Sequence, residues 1–392
     1  MSVYEPIYIV EIDGKLLPED ISDKVESFTY EDHEDKLDEL TLDIVDVDLV
    51  YVDHPMLQEG CEVKARWGYI GNLSNMRVCT IKEISYDFGT DGVPRITIIA
   101  YDKGHKLTGR AARTCWSNKK LEDVVGDIAS KHNLKPVVDI PGDYDREFLS
   151  QGGKNDFEFL KGLAAEMGCK TWVENDELHF APNRTTGNAT HTFDYRRDGE
   201  GLLKSFSVTS NAEKGKGTGA ETEVSGIDPI KKQPFEETYT SQEESVTMNL
   251  VSGRELNETP HQARHDETGL TKATPSHTKA EAKNEAKGRV RTEGMETIEG
   301  RATVIGIPHL MAKDTIRIEG IGQKLSGLWR AKSVRHQISD AGYECEVNAV
   351  RGDSNAGTKQ LSQGGKTPAN NEQKSAEANR SMTPVTKEVD LT

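Results

Sequence analysis

The sequence predicts a mainly β protein with α+β insertions and a polar C-terminal tail. Three observations predict it. Apolar residues alternate with polar ones across the first hundred positions, a helical period appears twice between residues 117 and 167, and alternation returns after residue 300. The chain has 392 residues, 34% hydrophobic and 29% charged. Its mean hydropathy is −0.66. That is polar for a protein built around one large core, so an elongated shape or a surface committed to partners is expected.

The N-terminal strands come first. Ile7 to Ile12 runs into Asp13-Gly14, a two-residue hairpin signal. Leu40, Leu42 and Ile44 alternate with Thr41, Asp43 and Val45. Val63, Ala65 and Trp67 alternate with Lys64 and Arg66, and Ile96, Ile98 and Ala100 with Thr97, Ile99 and Tyr101. With Arg77 to Tyr86, these make about six short strands, the spacing of a small barrel or sandwich. The period then changes. Leu121, Val124, Val125, Ile128 and Ala129 form one helical stripe, with Ser117 placed to cap it. A second helix spans Asp156 to Met167, capped by Asn155 or Asp156. Its stripe is Phe157, Leu160, Ala164 and Met167, and Gly168 stands at its left-handed C-terminal cap. A hairpin follows, Thr171 to Val173, a turn at Asn175-Asp176, then Leu178 to Phe180, and Pro182 closes the unit.

One strand fits Leu202 to Thr209. Residues 226–275 are polar and pattern-poor, and Thr278 to Arg291 reads as an exposed helix. Strands return at Ala302 to Ile305, Thr315 to Glu319, Leu328 to Ile338 and Tyr343 to Val350. From Asp353 the composition collapses to Ser, Gly, Asn, Gln, Lys and Thr, which cannot bury a core. No stretch approaches the roughly 18 apolar residues of a membrane helix. No basic and apolar leader follows Met1, so no secretory signal is expected. The five cysteines (Cys61, Cys79, Cys115, Cys169 and Cys345) are scattered without a C-x-x-C pair, which fits a reducing compartment.

Charge is unevenly placed. Residues 1–60 hold 18 acidic and 3 basic side chains, a net of −15, whereas the other 332 residues net −2. A basic nucleic-acid footprint is absent. The acidic block is either a solvated face or a surface that repels polyanions or meets a basic partner. Within it Glu31, Asp32, Glu34, Asp35, Asp38 and Glu39 are candidates for channel-facing or charged-interface residues.

Catalytic patterns are missing. His261-x-x-x-His265 lacks the glutamate of a metalloprotease helix, and Gly215 to Gly219 has neither phosphate-loop nor dinucleotide spacing. No G-x-S-x-G elbow occurs. Arg351-Gly352-Asp353 is a chance tripeptide at a strand end. His336, alternating with Val334 and Ile338, reads as a half-buried structural histidine. No catalytic residue, metal ligand or cofactor is expected.

Three ordered stretches carry a resemblance. Gln151 to Gly168, with Asp156, Phe159-Leu160, Leu163-Ala164, Glu166 and Gly168, is similar to a glutamine followed by a helix of the form D-x-x-F-L-x-x-L-A-x-E-x-G. Ala100 to Lys103 through Leu121 to Ala129 resembles the junction into the same α/β unit. Gly306 to Leu310, Gly320 to Gly322, Ser326 to Trp329, Val334 to His336 and Gly342 to Arg351 resemble a closing β unit. Together they resemble the phage late control protein D family, the baseplate hub of contractile tails, similar to the hub portion of VgrG spike proteins, over about residues 1–352.

The resemblance implies two tail-tube-like antiparallel β-barrels joined by a small α/β unit. The first barrel would be 1–101 and the α/β insertion 102–185. The second would be discontinuous, 186–265 and 296–352, with a helical insertion at 266–295 and Val224 to Pro229 as the turn into it. Three chains would form a ring that adapts the sixfold tail tube to the threefold spike and leaves a central channel. Its partners would be two further copies, a tube protein or tube initiator above, a spike below and baseplate wedge proteins, with no stable nucleic-acid binding and no membrane insertion. It would assemble in the bacterial cytoplasm and end in a virion baseplate or injection particle. No peptidoglycan-cleaving module and no needle follow residue 352, so the piercing spike would be a separate protein. In the low-complexity tail, 353–392, Met382, Val385, Val389 and Leu391 are candidates for docking as an added strand or extended peptide. The role implied is mechanical. The rival readings are a tail-associated cell-wall hydrolase and an effector carried in the tube.

Overall fold

The computed structural model describes residues 5–89, 92–140, 145–182, 189–195, 203–210, 221–228, 233–240, 272–273, 298–322 and 325–351. The N-terminal strands follow the alternation. β1 (Pro6–Ile12) turns through Asp13 and Gly14, with φ of 49° and 75°, into β2 (Lys15–Leu16). Two successive positive φ values are those of a type I′ turn, which matches the twist of the flanking strands. A single helical turn, α1 (Glu19–Ser22), leads to β3 (Val25–His33) and β4 (Glu39–Val45). Then come β5 (Glu62–Tyr69), β6 (Asn72–Leu73), β7 (Arg77–Asp87) and β8 (Arg95–Asp102). Leu40, Leu42 and Ile44, Val63, Ala65 and Trp67, and Ile96, Ile98 and Ala100 are all buried, as their period predicts.

The α/β unit opens with a 3₁₀ helix (Lys103–Thr108) capped by the Asp102 carboxylate, which accepts from Gly104 N at 2.9 Å. It continues through β9 (Cys115–Lys120), α2 (Leu121–Lys131), β10 (Lys135–Val138), β11 (Asp145–Ser150), α3 (Asp156–Glu166), β12 (Cys169–Glu174) and β13 (Glu177–Pro182). Ser117 does not cap α2. It lies inside β9, opposite Phe148 of β11, and Lys120 takes the cap position without a side-chain bond. Pairing Cys115–Lys120 with β11 satisfies that backbone as strand, so the helix starts where the pairing ends. Glu122 and Asp123 in its first turn supply the negative charge that a helix N-terminus favours.

The second helix is close to expectation. Asn155 Oδ1 accepts from Glu158 N at 2.8 Å, and Gly168 follows with φ 64°. Its buried face is Phe159, Leu160, Leu163, Ala164 and Met167, rotated from the expected stripe so that Phe157 is only partly buried. The Gln151 and Asp156 pair has a packing role. Asp156 is buried and accepts from Gln151 Nε2 at 2.6 Å, His132 Nε2 at 2.6 Å and Lys131 Nζ at 2.7 Å. One carboxylate thus ties the end of α2 to the start of α3.

Strand follows in the C-terminal part: β14 (His191–Asp194), β15 (Leu203–Ser210), β16 (Glu221–Asp228), β17 (Gln233–Thr240), β18 (Lys272–Ala273), β19 (Ile298–Ile305), β20 (Thr315–Glu319), β21 (Gly327–Ser339) and β22 (Gly342–Arg351). Of the turn expected at Val224 to Pro229, the described part to Asp228 is instead strand, paired from Glu221 opposite Thr240 to Asp228 opposite Gln233. Backbone pairing holds this polar segment without the hydrophobic alternation by which a strand is recognised. The expected helix Thr278 to Arg291, the Gly215 to Gly219 cluster, His261, His265 and the tail from 353 lie outside the described residues.

Among the described residues, fourteen strands join in one curled, largely antiparallel sheet in the order β15-β19-β22-β21-β3-β4-β8-β7-β5-β1-β2, with β6 on β5, β20 on β21 and β14 on β20. The link between its N- and C-terminal parts is β3 against β21, in register from Ser27 opposite Ser339 to His33 opposite Ser333. One hydrophobic core runs across that link, from Val10, Phe28 and Trp67 to Val304, Trp329 and Val347. A second core, around Val125, Leu160 and Phe180, belongs to the α/β unit.

Trp67 sits at the link, fully buried, with ring centroids 5.6 Å from Phe28, 4.5 Å from Tyr30 and 5.1 Å from His336 of β21. Close approach is built in beside it. A Cβ on Gly68 (φ 143°) would lie 2.3 Å from Asn72 O and 2.7 Å from Pro308 Cγ. Truncating Trp67 to Ala should cost about 3–5 kcal/mol. Urea unfolding followed by fluorescence and circular dichroism should show the midpoint fall with an unchanged slope.

Candidate functional site: a buried acidic junction

The six acidic residues singled out in the sequence gather where β3 turns into β4, with Glu31 and Asp32 on β3, Glu34, Asp35 and Asp38 in the connection and Glu39 opening β4. Alternation splits them. Glu31 faces outward, 3.2 Å from Arg335 Nε and 3.2 Å from His33 Nε2. Glu39 accepts from Thr41 Oγ1 at 3.3 Å. Asp32, Glu34 and Asp38 are buried, so in this chain they do not present a charged wall. The charged neighbours of Glu31, Asp32, Glu34 and Asp35 are cations of the same chain.

Those cations come from distant segments. Asp32 accepts from Ala312 N at 3.0 Å and Lys313 Nζ at 3.1 Å. Lys313 has φ 74°, and its ammonium lies 5.5 Å from the Trp172 ring centroid on β12. Glu34 lies between Lys170 Nζ at 2.8 Å and Arg330 Nε at 3.2 Å. Asp35 also meets Lys170 at 2.8 Å, and its carbonyl accepts from Lys161 Nζ at 2.7 Å. Arg77 of β7 reaches Glu174 of β12. The N-terminal strands, the α/β unit and the C-terminal strands therefore meet at one set of ion pairs. Ion pairs this far from water hold only if every charge has a partner.

Three buried carboxylates share this interior with fewer cations. Asp38 accepts from Tyr30 OH at 3.0 Å and from His33 N at 3.0 Å, and its own N–H donates to Asp102 at 3.3 Å. Burial, then the charges of Asp32 and Asp102, push the Asp38 carboxyl well above the usual range. Burial, with Asp32 adding to it, pushes Asp102 up to about 7, against backbone hydrogen bonds that pull the other way. Burial opposes the Lys313 ammonium, but Asp32 and Asp38 outweigh it and hold it above the lysine range. Asp35 is the opposite case. Burial raises it, but Lys170, Lys332 and Lys161 together hold it below the carboxylate range.

No spacing in the sequence connects Cys345, His336 and Tyr343, yet the fold brings them together. His336 Nδ1 lies 2.8 Å from Tyr343 OH and 3.2 Å from Cys345 Sγ. All three are buried, and burial pushes the thiol up to about 12 and the imidazole down to about 4. A nucleophilic cysteine needs the reverse, a lowered thiol beside a charged imidazole. This trio is core packing, and His336 is fully rather than half buried. A surface groove of about 660 Å³ lies over β15, β19, β22 and β21, lined by Asp35, Lys36, Glu299, Arg301, Lys332 and Asn348. Asp35, held low by its lysines, is not a general acid at neutral pH. Among the described residues no group of three His, Cys, Asp or Glu side chains is arranged to hold a metal ion. No helix among them is long and apolar enough to cross a membrane. The docking candidates Met382, Val385, Val389 and Leu391 lie outside the described residues.

Lys170, Lys313, Arg330 and Asp102 were not singled out by sequence, because each is an ordinary polar residue until the chain brings it to the acidic turn. Replacing Lys170 by Met should destabilise the protein by about 3–5 kcal/mol, since it leaves Glu34 buried beside one cation fewer. Thermal unfolding at fixed pH measures it. The pH dependence has a definite sign. Asp38 and Asp102 have folded-state pKa values raised above their unfolded values, so their contribution is present below about pH 4 and is lost as pH rises, for Asp102 through about 7. Asp38→Asn keeps an acceptor for His33 N and gives Tyr30 a donor. It should flatten the decline in stability as pH rises above about 4 in chemical denaturation titrations.

A family model described as the Alg8 N-terminal domain matches residues 7–340. No curated protein matches the chain. Solved structures share its fold. The tail protein from Neisseria meningitidis MC58 is 13% identical, with a TM-score of 0.65 over 89% of this chain and 97% of that one. The 43 kDa tail protein of prophage MuSo2 from Shewanella oneidensis is 12% identical, with a TM-score of 0.64 over 89% and 99%. The E. coli protein c3393, a component of the type VI secretion system with structural similarity to the T4 tail proteins gp27 and gp5, is 11% identical, with a TM-score of 0.54 over 89% and 78%. At such identities the likeness is one of fold.

Proposed function

We propose, from the fold it shares with tail proteins, that this chain, which belongs to the Alg8 N-terminal domain family, is a structural protein of a contractile phage tail or phage-like injection particle, serving as the baseplate hub. The observation that carries this is the extent of the likeness to the Neisseria tail protein, 89% of this chain and 97% of that one. A shared fold over nearly the full length of both favours a shared architectural role over a module borrowed for another task. The type VI secretion component extends the same fold to injection machinery.

In this reading three copies close into a ring between the sixfold tube and the threefold spike, and the ring leaves a channel. The sequence resemblance to late control protein D and the hub portion of VgrG supports it, and in this reading the β units are 1–101 and 186–265 with 296–352, around an α/β insertion at 102–185. Residues 353–392 serve as a docking segment for the spike or a neighbouring copy. The protein breaks no bonds. The acidic junction suits a part that carries axial load, because ion pairs crossing between three segments resist their sliding.

The test is deletion of the gene in a producing strain, followed by electron microscopy of purified particles. The expected result is tubes without a joined tip, restored by the gene in trans, and three copies per particle by quantitative mass spectrometry. Particles that join tube to spike normally without the protein overturn the proposal.

A further inference from the structure

The far end of β4 carries a surface that the hub reading does not explain. Val47, Leu49 and Val50 are 62%, 51% and 62% exposed. They stand on a loop that is locked. The buried Asp46 carboxylate accepts from Val50 N at 2.8 Å, Tyr51 N at 2.9 Å and Val52 N at 3.1 Å, and Leu49 is held at φ 55°. Tyr51 OH donates to Asp20 O at 3.0 Å, which brings the acidic first turn of α1 beside the loop. The result is a rigid apolar tip flanked by the exposed carboxylates Glu19, Asp20, Asp23, Asp48 and Asp53. Three exposed aliphatic residues on a preorganised loop are costly in water and lose little entropy on docking.

The complementary surface lies on the same chain. Residues 103–120 contain six Lys and Arg and no Asp or Glu. Lys103 is paired with Asp176 and Lys119 with Asp127, whereas Lys106, Arg110, Arg113 and Lys120 are exposed. The segment runs into β9, which with β11 makes a separate two-stranded ribbon, and Phe148 on that ribbon is 50% exposed. One surface is apolar with an acidic rim; the other is the basic segment 106–120 beside the exposed Phe148 ring, with Asp145 and Glu147 on the paired strand β11. Both are exposed and do not cover one another within one chain. The α/β unit grips the connection that precedes β4, through Lys161 and Lys170, while the tip follows the other end of β4. The seven residues of β4 put roughly 20 Å between those ends.

We propose that the tip at residues 47–53 of one copy docks on the basic segment 106–120, which runs into and forms β9, of a second copy. The contact is heterologous, different patches on the two partners, which is the kind that closes rings. It rests on the hub reading in that it names the contact joining neighbours in the ring.

The experiment measures self-association of the full chain by sedimentation. Asp48→Lys with Asp53→Lys reverses the acidic rim, and Arg110→Glu with Arg113→Glu and Lys120→Glu reverses the basic one. Each set alone should weaken association by about tenfold or more, and both sets in one chain should restore it. Circular dichroism melts check that each variant folds. The wild-type association should also weaken steadily as salt is raised. If either set alone leaves association unchanged, if the combined chain fails to recover, or if salt has no effect, the contact is wrong while the hub ring stands. A wild-type chain that stays monomeric at every concentration, and in particles lacks neighbours of its own kind, overturns both.

Discussion

The structure depends on the neutralisation of a few carboxylates that have no water. Asp32 and Glu34 lie under the β3–β4 turn, and their charges are balanced by Lys313 and Arg330 from the C-terminal strands and Lys170 from the α/β unit, while burial pushes the Asp38 carboxyl beside them well above the usual range. Hydrophobic burial alone would let three segments pack in several nearly equivalent ways. Charges in low dielectric do not permit that, because a slip of one residue leaves an ion unpaired at a cost of several kcal/mol. The junction therefore fixes which part of the chain meets which. The shared core around Trp67, Trp329 and His336 then fills the space that this register defines.

Much of the local structure was legible in the sequence. Alternation at Leu40, Leu42 and Ile44 located a strand and its buried face, Asp13-Gly14 located a turn, and Asn155 and Gly168 bracketed a helix, because each depends on residues a few positions apart. The misreadings have a common cause. Ser117 is a good cap by chemistry, but its segment is claimed by β11, some thirty residues later in the chain. The polar strand Glu221–Asp228 is held by its partner and not by its own pattern. The acidic turn stood out by composition, yet whether its charges face water, a channel or a lysine was decided by residues 170, 313 and 330, which no spacing rule connects to residue 34.

The Cys345, His336 and Tyr343 trio shows why side-chain identity alone does not make chemistry. Those residue types at those distances occur in hydrolytic sites, but here burial pushes the thiol and the imidazole in opposite directions, away from an ion pair. The Gln151 and Asp156 pair likewise clamps two helices together. Residues that mark a family can do so because packing requires them.

The pairing of β3 with β21 has a consequence for how the molecule is made. Strand β3 ends at His33 and its partner begins to emerge only near Ser333. At translation speeds of roughly 5–20 residues per second, the early strand spends on the order of 15–60 seconds beside the ribosome with one edge unsatisfied. A row of open amides for that long invites pairing with a neighbouring nascent chain. Glu31 and Asp32 lie on that strand and Glu34 just beyond it, so the same acidic residues that later anchor the junction would repel identical chains on a polysome until the basic partners of the same molecule arrive.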